Sequence, residues 1–332
     1  METNVFLIDW LTFTVKGSSV DQVKSLIGLV DQAVHWEVLG GCNGYPQSEF
    51  YAGVRIMYGA SDEMGICCNM SGQGCRSFET FGMGDWIKLF DILVSLGDNI
   101  NITRCDLAFD DHTGVLDIYR IKDDTESGYF TSKVRKIDVL REQNSHGNVT
   151  GLSIYYGSPQ SKIRCRIYDK ALERGFVDQH WIRVELQLRD GNADSAVRYL
   201  YSGMAISTVF TGVLRNYIQF RDVVLDDEGN PFDSNKSRWP MADYWAKFLD
   251  GAAPLTLWVK PGVEYNLFNL QRFVIEQAGN AISCYVAIYG FAGLADRLSE
   301  FKPMHKLPAK YQLLLDLAAR EGGGVVYDEA VS

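Results

Sequence analysis

Three segments of the sequence place charged residues and one tyrosine at every second position, which is the spacing of one face of a β-strand. The segments are RCDLAFD (104–110), SKIRCRIYDK (161–170) and WIRVELQLR (181–189). Their alternating polar residues are Arg104, Asp106 and Asp110, then Lys162, Arg164, Arg166, Tyr168 and Lys170, then Arg183, Glu185, Gln187 and Arg189. If the three strands are neighbours in one sheet, carboxylates, cations and a phenol share one surface.

This combination of side chains suits the chemistry of phosphodiesters. Two carboxylates can hold a divalent ion that polarises a phosphoryl oxygen. Arginines stabilise the charge that develops on the oxygens around phosphorus. A tyrosine hydroxyl is a suitable nucleophile once activated, and its departure as a phenolate makes the covalent step reversible.

Strand geometry limits which carboxylates can share one metal ion. Asp106 and Asp110 are four residues apart, roughly 13 Å along a regular strand, so both can bind one ion only if a bulge intervenes. The sequence therefore favours Asp106 with Glu185 as ligands of a divalent ion. It ranks Asp110 and Asp111 lower, at the end of their strand.

The alternative interpretation is that these charges only solvate the outer face of a half-exposed antiparallel sheet. The overall charge also has to be considered, because 32 basic and 42 acidic residues give a formal net charge of −10. An acidic chain is a poor nonspecific binder of polyanions. Any contact with DNA must therefore come from a local cationic patch.

Strands interrupted by helical segments predict an α+β fold, with a largely antiparallel sheet that carries the active site and helices packed against it. The polar loop at 226–239 is the best candidate for a boundary. It predicts a catalytic domain at 1–225 and a smaller, mainly helical domain at 226–332, for which we expect a role in DNA recognition or partner contact. Residues 126–150 predict a strand followed by a mobile loop.

The sequence shows no sign of a membrane protein or of a secreted one. No stretch approaches about eighteen consecutive apolar residues, and the N-terminal segment lacks a basic region and a cleavage site of small residues. The seven cysteines have no metal-type spacing, so reduced thiols are the simplest interpretation. We therefore expect a cytoplasmic protein without membrane contact.

The three polar strands also carry a resemblance to a known family. RCDLAFD, IYYGSPQSKIRCRIYDKALE and HWIRVELQLR resemble the signature blocks of the replication initiation factor (Rep_trans) family, and CCNMSGQGCR and RWPMADYWAKFL resemble flanking segments. The family comprises rolling-circle plasmid initiators, related phage-type proteins and relaxases of some integrative conjugative elements. The resemblance covers most of the chain and implies a sequence-specific DNA nicking and strand-transfer enzyme that depends on Mg²⁺ or Mn²⁺.

The resemblance also implies roles for individual residues. It identifies Tyr168 as the nucleophile that forms a 5′-phosphotyrosine, and Asp106, Asp110 and Glu185 as the carboxylates of the metal site. We expect the arginines beside them to position the phosphate and to lower the pKa of the tyrosine; these are Arg164, Arg166 and Arg183. Further cations are expected to bind DNA; these are Lys162, Lys170, Lys133, Arg135, Lys136 and Arg189.

Several alternatives stay open at the level of sequence. Tyr155 and Tyr156 compete with Tyr168 as nucleophile, although they more readily suit a strand or a surface on which a base stacks. His180 could assist the site, but a lone histidine is more often structural. The rival functions are a non-catalytic DNA-binding regulator and a metal-dependent endonuclease that uses water. The expected partners are origin DNA that is partly single-stranded or hairpin-like, a host helicase and a second copy of the chain in a homodimer.

Overall fold

The computed structural model describes residues 4–30, 35–176, 179–250 and 279–300. The chain divides into two compact units, residues 1–258 and 259–332. The described residues of the second unit form one helix, Gly279–Glu300, whose backbone is interrupted at Gly290 by a non-helical conformation (φ 72°, ψ 171°).

The first unit contains twelve strands among its described residues. They are β1 (Val5–Val15), β2 (Glu37–Gly40), β3 (Gln47–Tyr51), β4 (Val54–Tyr58), β5 (Ile66–Met70), β6 (Ile100–Asp111), β7 (Phe130–Ser132), β8 (Ile137–Gln143), β9 (Val149–Tyr156), β10 (Ile163–Asp169), β11 (Ile182–Arg189) and β12 (Ile218–Phe220). Ten of them form one antiparallel sheet in the order β2-β3-β4-β5-β1-β6-β11-β10-β9-β8, and β12 pairs with β7. The central position of β6 and β11 makes both of their edges inaccessible to another strand.

Eight helices accompany the sheet in the described part of this unit. They are α1 (Val20–Ile27), α2 (Gly72–Phe81), α3 (Trp86–Ser95), α4 (Ile118–Glu126), α5 (Lys170–Arg174), α6 (Gly191–Tyr201), α7 (Ile206–Tyr217) and α8 (Asp243–Leu249). Local signals set their ends. A capping box between Ser19 and Gln22 starts α1, and Gly28 in the left-handed region ends it. The predicted α+β class with a largely antiparallel sheet is confirmed.

One face of the sheet forms the hydrophobic core. Leu107 and Phe109 of β6 are buried on it beside Val184 and Leu186 of β11. Phe109 in turn packs against Phe248 of α8, with ring centroids 4.9 Å apart. Because side chains alternate along a strand, the charged residues of these strands project from the opposite face.

The segment predicted as a mobile loop after a strand is a β-hairpin instead. Strands β8 and β9 pair from Ile137 to Gln143, and the connection at 144–148 is a compact turn. The Asn144 side chain accepts hydrogen bonds from the backbone amides of His146 and Asn148. Gly147 takes the positive φ of 82° that the turn needs. The polar composition of this hairpin reflects exposure of an edge strand rather than missing structure.

Helix α8 lies beyond the predicted boundary at 225/226 and packs within the first unit. Trp245 is fully buried, with its ring 4.8 Å from that of Phe220 and 5.0 Å from that of Phe248. Its indole nitrogen donates to the carbonyl oxygen of Ile218. Most of the predicted C-terminal domain lies outside the described residues, so its role in DNA recognition stays a prediction.

Helices long and apolar enough to cross a bilayer are absent from the described ranges.

Replacing Trp245 with alanine should lower the free energy of unfolding by about 3–5 kcal/mol, because the indole fills a closed aromatic cluster. Urea denaturation followed by circular dichroism measures the change. Phe232, with 78% of its surface exposed, is the control: its replacement by alanine should change stability by no more than about 0.5 kcal/mol. Equal losses in the two variants would contradict the docking of α8 on the sheet.

Candidate active site

The three polar strands are neighbours, as the sequence predicts. Strand β11 lies between β6 and β10, and all three are antiparallel to their neighbours. Their registers align the polar residues in rows across the sheet. The rows are Asp110–Arg183–Tyr168, Ala108–Glu185–Arg166 and Asp106–Gln187–Arg164. Adjacent rows are two residues apart, roughly 7 Å along the strands. The carboxylates, arginines and Tyr168 of these rows therefore occupy one continuous face of the sheet, which we call the polar face.

A buried arginine forms the centre of this face. Arg183 is 6% exposed and donates two hydrogen bonds to the carboxylate of Asp110, at 2.5 and 2.6 Å. Its remaining terminal nitrogen lies 3.0 Å from an oxygen of Asp9. Burial acts against the cation, but the two carboxylates outweigh it and raise the pKa of Arg183. Burial likewise acts against the Asp110 carboxylate, and the bonds from Arg183 still lower its pKa.

Asp9 is a member of the site that the sequence analysis missed. It lies in β1, where the pairing with β6 shifts between Ile8 and Trp10. A shift of this kind inserts one unpaired residue into the strand and turns its side chain out of the regular alternation. The bulge brings Asp9 to Arg183. It also leaves Trp10 beside Arg104, whose guanidinium carbon lies 3.8 Å from the centroid of the Trp10 ring. A strict two-residue period cannot reveal either contact.

A second arginine holds Asp106. The Nε of Arg104 lies 3.0 Å from each oxygen of the Asp106 carboxylate, and its Nη2 lies 2.5 Å from one of them. Asp106 is only 1% exposed. Burial raises its pKa to about 7, although the bonds and charge of Arg104 act in the opposite direction. Both oxygens of Asp106 are therefore already occupied.

Tyr168 is buried at the end of β10, with 3% of its surface exposed. The guanidinium of Arg166 stacks on its ring at 3.6 Å, and the amine of Lys170 donates to its hydroxyl at 3.3 Å. Burial and the negative charge of Glu185 raise the pKa of Tyr168, outweighing Arg183 and Arg166. Arg183 and Arg166 do act to lower this pKa, as predicted, but their effect is smaller than that of taking the ring out of water beside an acidic group, so the net shift is upward.

Glu185 is the carboxylate that stays open. It forms no hydrogen bond or ion pair with the residues that the structure describes, and it lines a cavity of about 190 Å³. The other lining residues are Arg104, Tyr155, Arg164, Arg166 and Gln187. Burial, followed by the charge of Asp9, raises the pKa of Glu185. The cavity thus combines three arginines with one carboxylate that has no partner among the described residues.

Comparison with known proteins assigns this arrangement to a family. Residues 100–297 match the family described as Replication initiation factor, which covers more than half of the chain. The chain belongs to the replication initiation factor family. Residues 5–94 also match the domain described as Rolling Circle replication initiation protein N-terminal domain.

Two relatives extend the comparison beyond the family match. The solved structure of a rolling-circle replication initiator protein from Geobacillus stearothermophilus is 31% identical, covers 77% of this chain and 99% of its own, and superposes with a TM-score of 0.68. A Bacillus subtilis (strain 168) protein named DNA relaxase NicK is 26% identical over 273 residues, which span 79% of this chain and 75% of that protein. The first relative shares the fold as well as the sequence.

In this replication initiation factor, the three predicted metal ligands are not equally available. The oxygens of Asp106 and Asp110 bind Arg104 and Arg183, whereas Glu185 is open to the cavity. Within the described ranges, no three His, Cys, Asp or Glu side chains are grouped to hold a metal ion. Of the three predicted ligands, only Glu185 therefore has oxygens without a partner among the described residues, and the metal site stays a prediction.

The competing tyrosines of this family member are separated by the pleat of β9. Tyr155 shares the polar face, and Arg164 lies 4.2 Å from its ring centroid. Tyr156 projects into the core, fully buried, and its hydroxyl lies 2.5 Å from that of Thr125. Tyr155 is thus suited to stacking on the polar face, and Tyr156 has no access to that face. His180 lies 3.2 Å from Asp111, outside the rows of the polar face.

The cations predicted to bind DNA fall into three places. Lys170 does not continue the strand, because β10 ends at Asp169 and Lys170 starts α5. It is 7% exposed, so its amine faces Tyr168 instead of an outer surface. Exposed basic residues precede the edge strand β8, two strands from β10; they are Lys133, Arg135 and Lys136. Lys162 and Arg189 adjoin the polar face at its far end, where the Arg189 amide donates to the Lys162 carbonyl.

The opposite pKa shifts of Asp106 and Asp110 predict different effects of pH on stability. Asp106 has a folded pKa of about 7 against 3.8 in an unstructured chain, so its stabilising contribution is present below about pH 4 and is lost as pH rises through 7. The stability of the wild type relative to Asp106→Asn should therefore fall between about pH 4 and pH 7 and level off above that range. Chemical denaturation at a series of pH values measures this difference.

The variant Asp110→Asn is the matched control. The carboxylate of Asp110 in the wild type has a lowered pKa. Its contribution to stability is therefore present above the unfolded pKa and is lost only at lower pH. The stability difference between wild type and Asp110→Asn should be large, about 3–5 kcal/mol for a broken buried pair, and flat across the same range. Parallel pH profiles for the two variants would contradict the assigned shifts.

Proposed function

We propose that this protein is a DNA nickase and strand transferase that starts rolling-circle replication or conjugative transfer, with Tyr168 as its nucleophile. The names of the two relatives, a rolling-circle replication initiator and a DNA relaxase, support this class of activity. The observation that carries the assignment of Tyr168 is its place on the polar face: its hydroxyl meets Lys170, its ring carries Arg166, and Arg183 is its neighbour on β11.

The proposed reaction is a transesterification. The Tyr168 hydroxyl attacks a phosphorus atom of a single-stranded segment, the bond from phosphorus to tyrosine forms, and the bond to the 3′ oxygen breaks. The products are a 5′-phosphotyrosine and a free 3′-hydroxyl, which can prime DNA synthesis. Resealing is the reverse attack of a 3′-hydroxyl, with the tyrosine as leaving group.

The arginines of the cavity suit the phosphate in this reaction. Arg164 and Arg166 line the cavity, and Glu185 is the carboxylate in its lining. Neither arginine forms a hydrogen bond or ion pair with Glu185: Arg164 donates to the carbonyl oxygen of Gly157 and Arg166 to Ser153. Arg166 reaches Ser153 and Glu173 with one terminal nitrogen, and its buried Nε has no partner. A buried donor without an acceptor is costly, and a phosphate oxygen is the acceptor that the proposed substrate supplies.

We include Mg²⁺ or Mn²⁺ in the proposal, with Glu185 as the protein ligand. An open, mostly buried carboxylate beside a phosphate site suits a hard divalent cation. A bound ion would polarise a phosphoryl oxygen and offset negative charge at the phosphate. The cation would also offset the burial and the charge of Asp9, which raise the pKa of Glu185.

The acidic balance of the chain is compatible with DNA because charge is distributed unevenly. The polar face carries cations in excess of its carboxylates, and two of the carboxylates are neutralised by their own arginines. Acidic residues cluster elsewhere, as in the exposed loop at 226–228. Electrostatic attraction of DNA is therefore confined to one face.

A host helicase and a second copy of the chain are further proposed partners. Nicking leaves the two DNA strands paired, so extension from the 3′-hydroxyl requires a separate activity that unwinds them. The cavity and polar face described above come from a single chain, and a homodimer stays a prediction.

Tyr168→Phe should abolish covalent attachment to DNA, because it removes the attacking oxygen and leaves the ring in place. The probe is a single-stranded DNA library of random sequence, with one dye at the 3′ end and another at the 5′ end. Wild-type protein should retain only the 3′ dye on a denaturing gel, since a 5′-phosphotyrosine joins the protein to the downstream fragment.

Tyr155→Phe is the matched control and should keep the adduct. An adduct with Tyr168→Phe would exclude Tyr168 as nucleophile. Cleavage of the library by the wild type without any adduct would instead support an endonuclease that uses water.

Glu185→Gln should remove the dependence of nicking on divalent ions together with most of the activity. The substitution keeps the shape of the side chain but removes its charge. The affinity of the protein for Mn²⁺ in the absence of DNA, measured by electron paramagnetic resonance, supplies a second readout. If Glu185→Gln binds Mn²⁺ with the affinity of the wild type, Glu185 is not the ligand.

A further inference from the structure

Lys170 contacts the reactive oxygen of the proposed nucleophile. Its Nζ lies 3.3 Å from the hydroxyl oxygen of Tyr168. The amine also lies 5.7 Å from the centroid of the Tyr168 ring and 5.4 Å from that of Trp181. With only 7% of its surface exposed, Lys170 is held between two aromatic rings at the end of the polar face.

The turn from β10 into α5 creates this position. The Asp169 side chain accepts from the amide of Leu172 and caps the helix. The backbone amides of Lys170 and Ala171 both donate to the carbonyl oxygen of Trp181. This double contact fixes Lys170 two residues beyond Tyr168, with its side chain returning to the phenol instead of alternating along a strand.

Charged groups from four elements surround the amine. Arg183 of β11 acts against a positive charge on it, whereas Asp9 of β1, Asp110 of β6 and Glu173 of α5 favour the charge. Lys170 has no ion pair with any described residue. Burial, followed by Arg183, lowers the pKa of Lys170, so the amine gives up its proton more readily than an exposed lysine does.

The proposed reaction needs a proton acceptor at this place. The phenol of Tyr168 resists ionisation because burial and Glu185 raise its pKa, and a neutral phenol is a weak nucleophile. Arg166 and Arg183 cannot accept a proton, since guanidinium groups stay protonated. Glu185 belongs to the neighbouring row and forms no hydrogen bond with Tyr168 among the described contacts. Lys170 is the titratable group whose side chain bonds the phenolic oxygen.

We propose that Lys170 is a catalytic residue that takes the proton of the Tyr168 hydroxyl during nicking and returns it during resealing. This inference rests on the proposed function, in which Tyr168 is the nucleophile. In the forward step the oxygen–phosphorus bond forms, the bond to the 3′ oxygen breaks, and the phenolic proton moves to the free electron pair of the lysine nitrogen. The departing 3′ oxygen takes a proton from water.

The reverse step uses the same groups. A 3′-hydroxyl attacks the phosphotyrosine and releases its proton to water, and the Lys170 ammonium returns its proton to the departing phenolate. Asp9 and Asp110 favour this ammonium while it exists. One residue thus serves as base in one direction and as acid in the other, as microscopic reversibility requires.

A fixed positive charge beside the phenolate is the other role that a lysine could have here, and three variants separate the two. Lys170→Met removes both the charge and the basic nitrogen at similar length. Lys170→Arg keeps the charge but cannot accept a proton. Lys170→Ala leaves space for a small primary amine supplied in solution. The measured rate is that of adduct formation on the random single-stranded DNA library, over a range of pH.

Proton transfer by Lys170 predicts a loss of about 10²–10⁴-fold for both Lys170→Met and Lys170→Arg. The wild-type rate should rise with pH and level off once Lys170 is neutral, whereas the rate of Lys170→Met should keep rising without that plateau. Methylamine and ethylamine should restore Lys170→Ala in proportion to their unprotonated fraction. Circular dichroism and the affinity for the same DNA, both unchanged, establish that each variant is folded.

Three results with the variants would overturn the inference. An Lys170→Arg variant that forms the adduct at the wild-type rate would leave only a role for charge, as would rescue that follows the protonated amine. A wild-type rate for Lys170→Met would exclude both roles. If the wild type itself forms no adduct with any member of the library, the proposed function fails and the inference fails with it. If the wild type forms the adduct and the Lys170 variants form it equally fast, only the inference fails.

Discussion

Arg183 is buried in the middle of a ten-stranded sheet, and its charge is tolerated there only because two other strands supply carboxylates. Asp110 of β6 binds it through two hydrogen bonds, and Asp9 of β1 binds its remaining terminal nitrogen. An isolated buried charge would be severely unfavourable, whereas a paired and hydrogen-bonded one is not. The geometry of the polar face depends on this contact, since it joins three adjacent strands directly beside Tyr168.

The same pairing determines which groups remain available for chemistry. Asp110 and Asp106 are each held by an arginine, so the face has neutralised most of its own negative charge. Glu185 is left without a partner among the described residues, and the cavity that it lines contains three arginines. Contacts alone do not set the direction of the pKa: the bonds from Arg183 lower that of Asp110, whereas burial raises that of Asp106 despite Arg104 and raises that of the open Glu185. A single face of alternating residues therefore contains groups with separate tasks.

Much of this face could be predicted from the sequence because a regular strand has a strict period of two. Tyr168, Arg183 and Asp110 share one face, as alternation along three neighbouring strands predicts, and Tyr156 is excluded from it by the same rule; the register that aligns them in one row comes from the structure. The presence of Asp9 on this face could not be predicted in this way, because a bulge between Ile8 and Trp10 breaks the period of two at Asp9 itself. The spacing predicts that Lys170 continues the strand, whereas the helix cap at Asp169 redirects its side chain. The raised pKa of Tyr168 depends on burial, which a list of charged neighbours does not contain.

The bulge at Asp9 also bears on how such proteins can diversify. Residues 5–94 and 100–297 match two separate descriptions of related proteins, which invites the view that the first part is an interchangeable module. Strand β1 nevertheless lies between β5 and β6, and its inserted carboxylate neutralises an arginine of the second part. A segment exchanged between relatives would keep this ion pair only where it carries the inserted residue and that residue is an acid. The two matched segments are therefore coupled at this point by a buried ion pair, even though each matches a family description of its own.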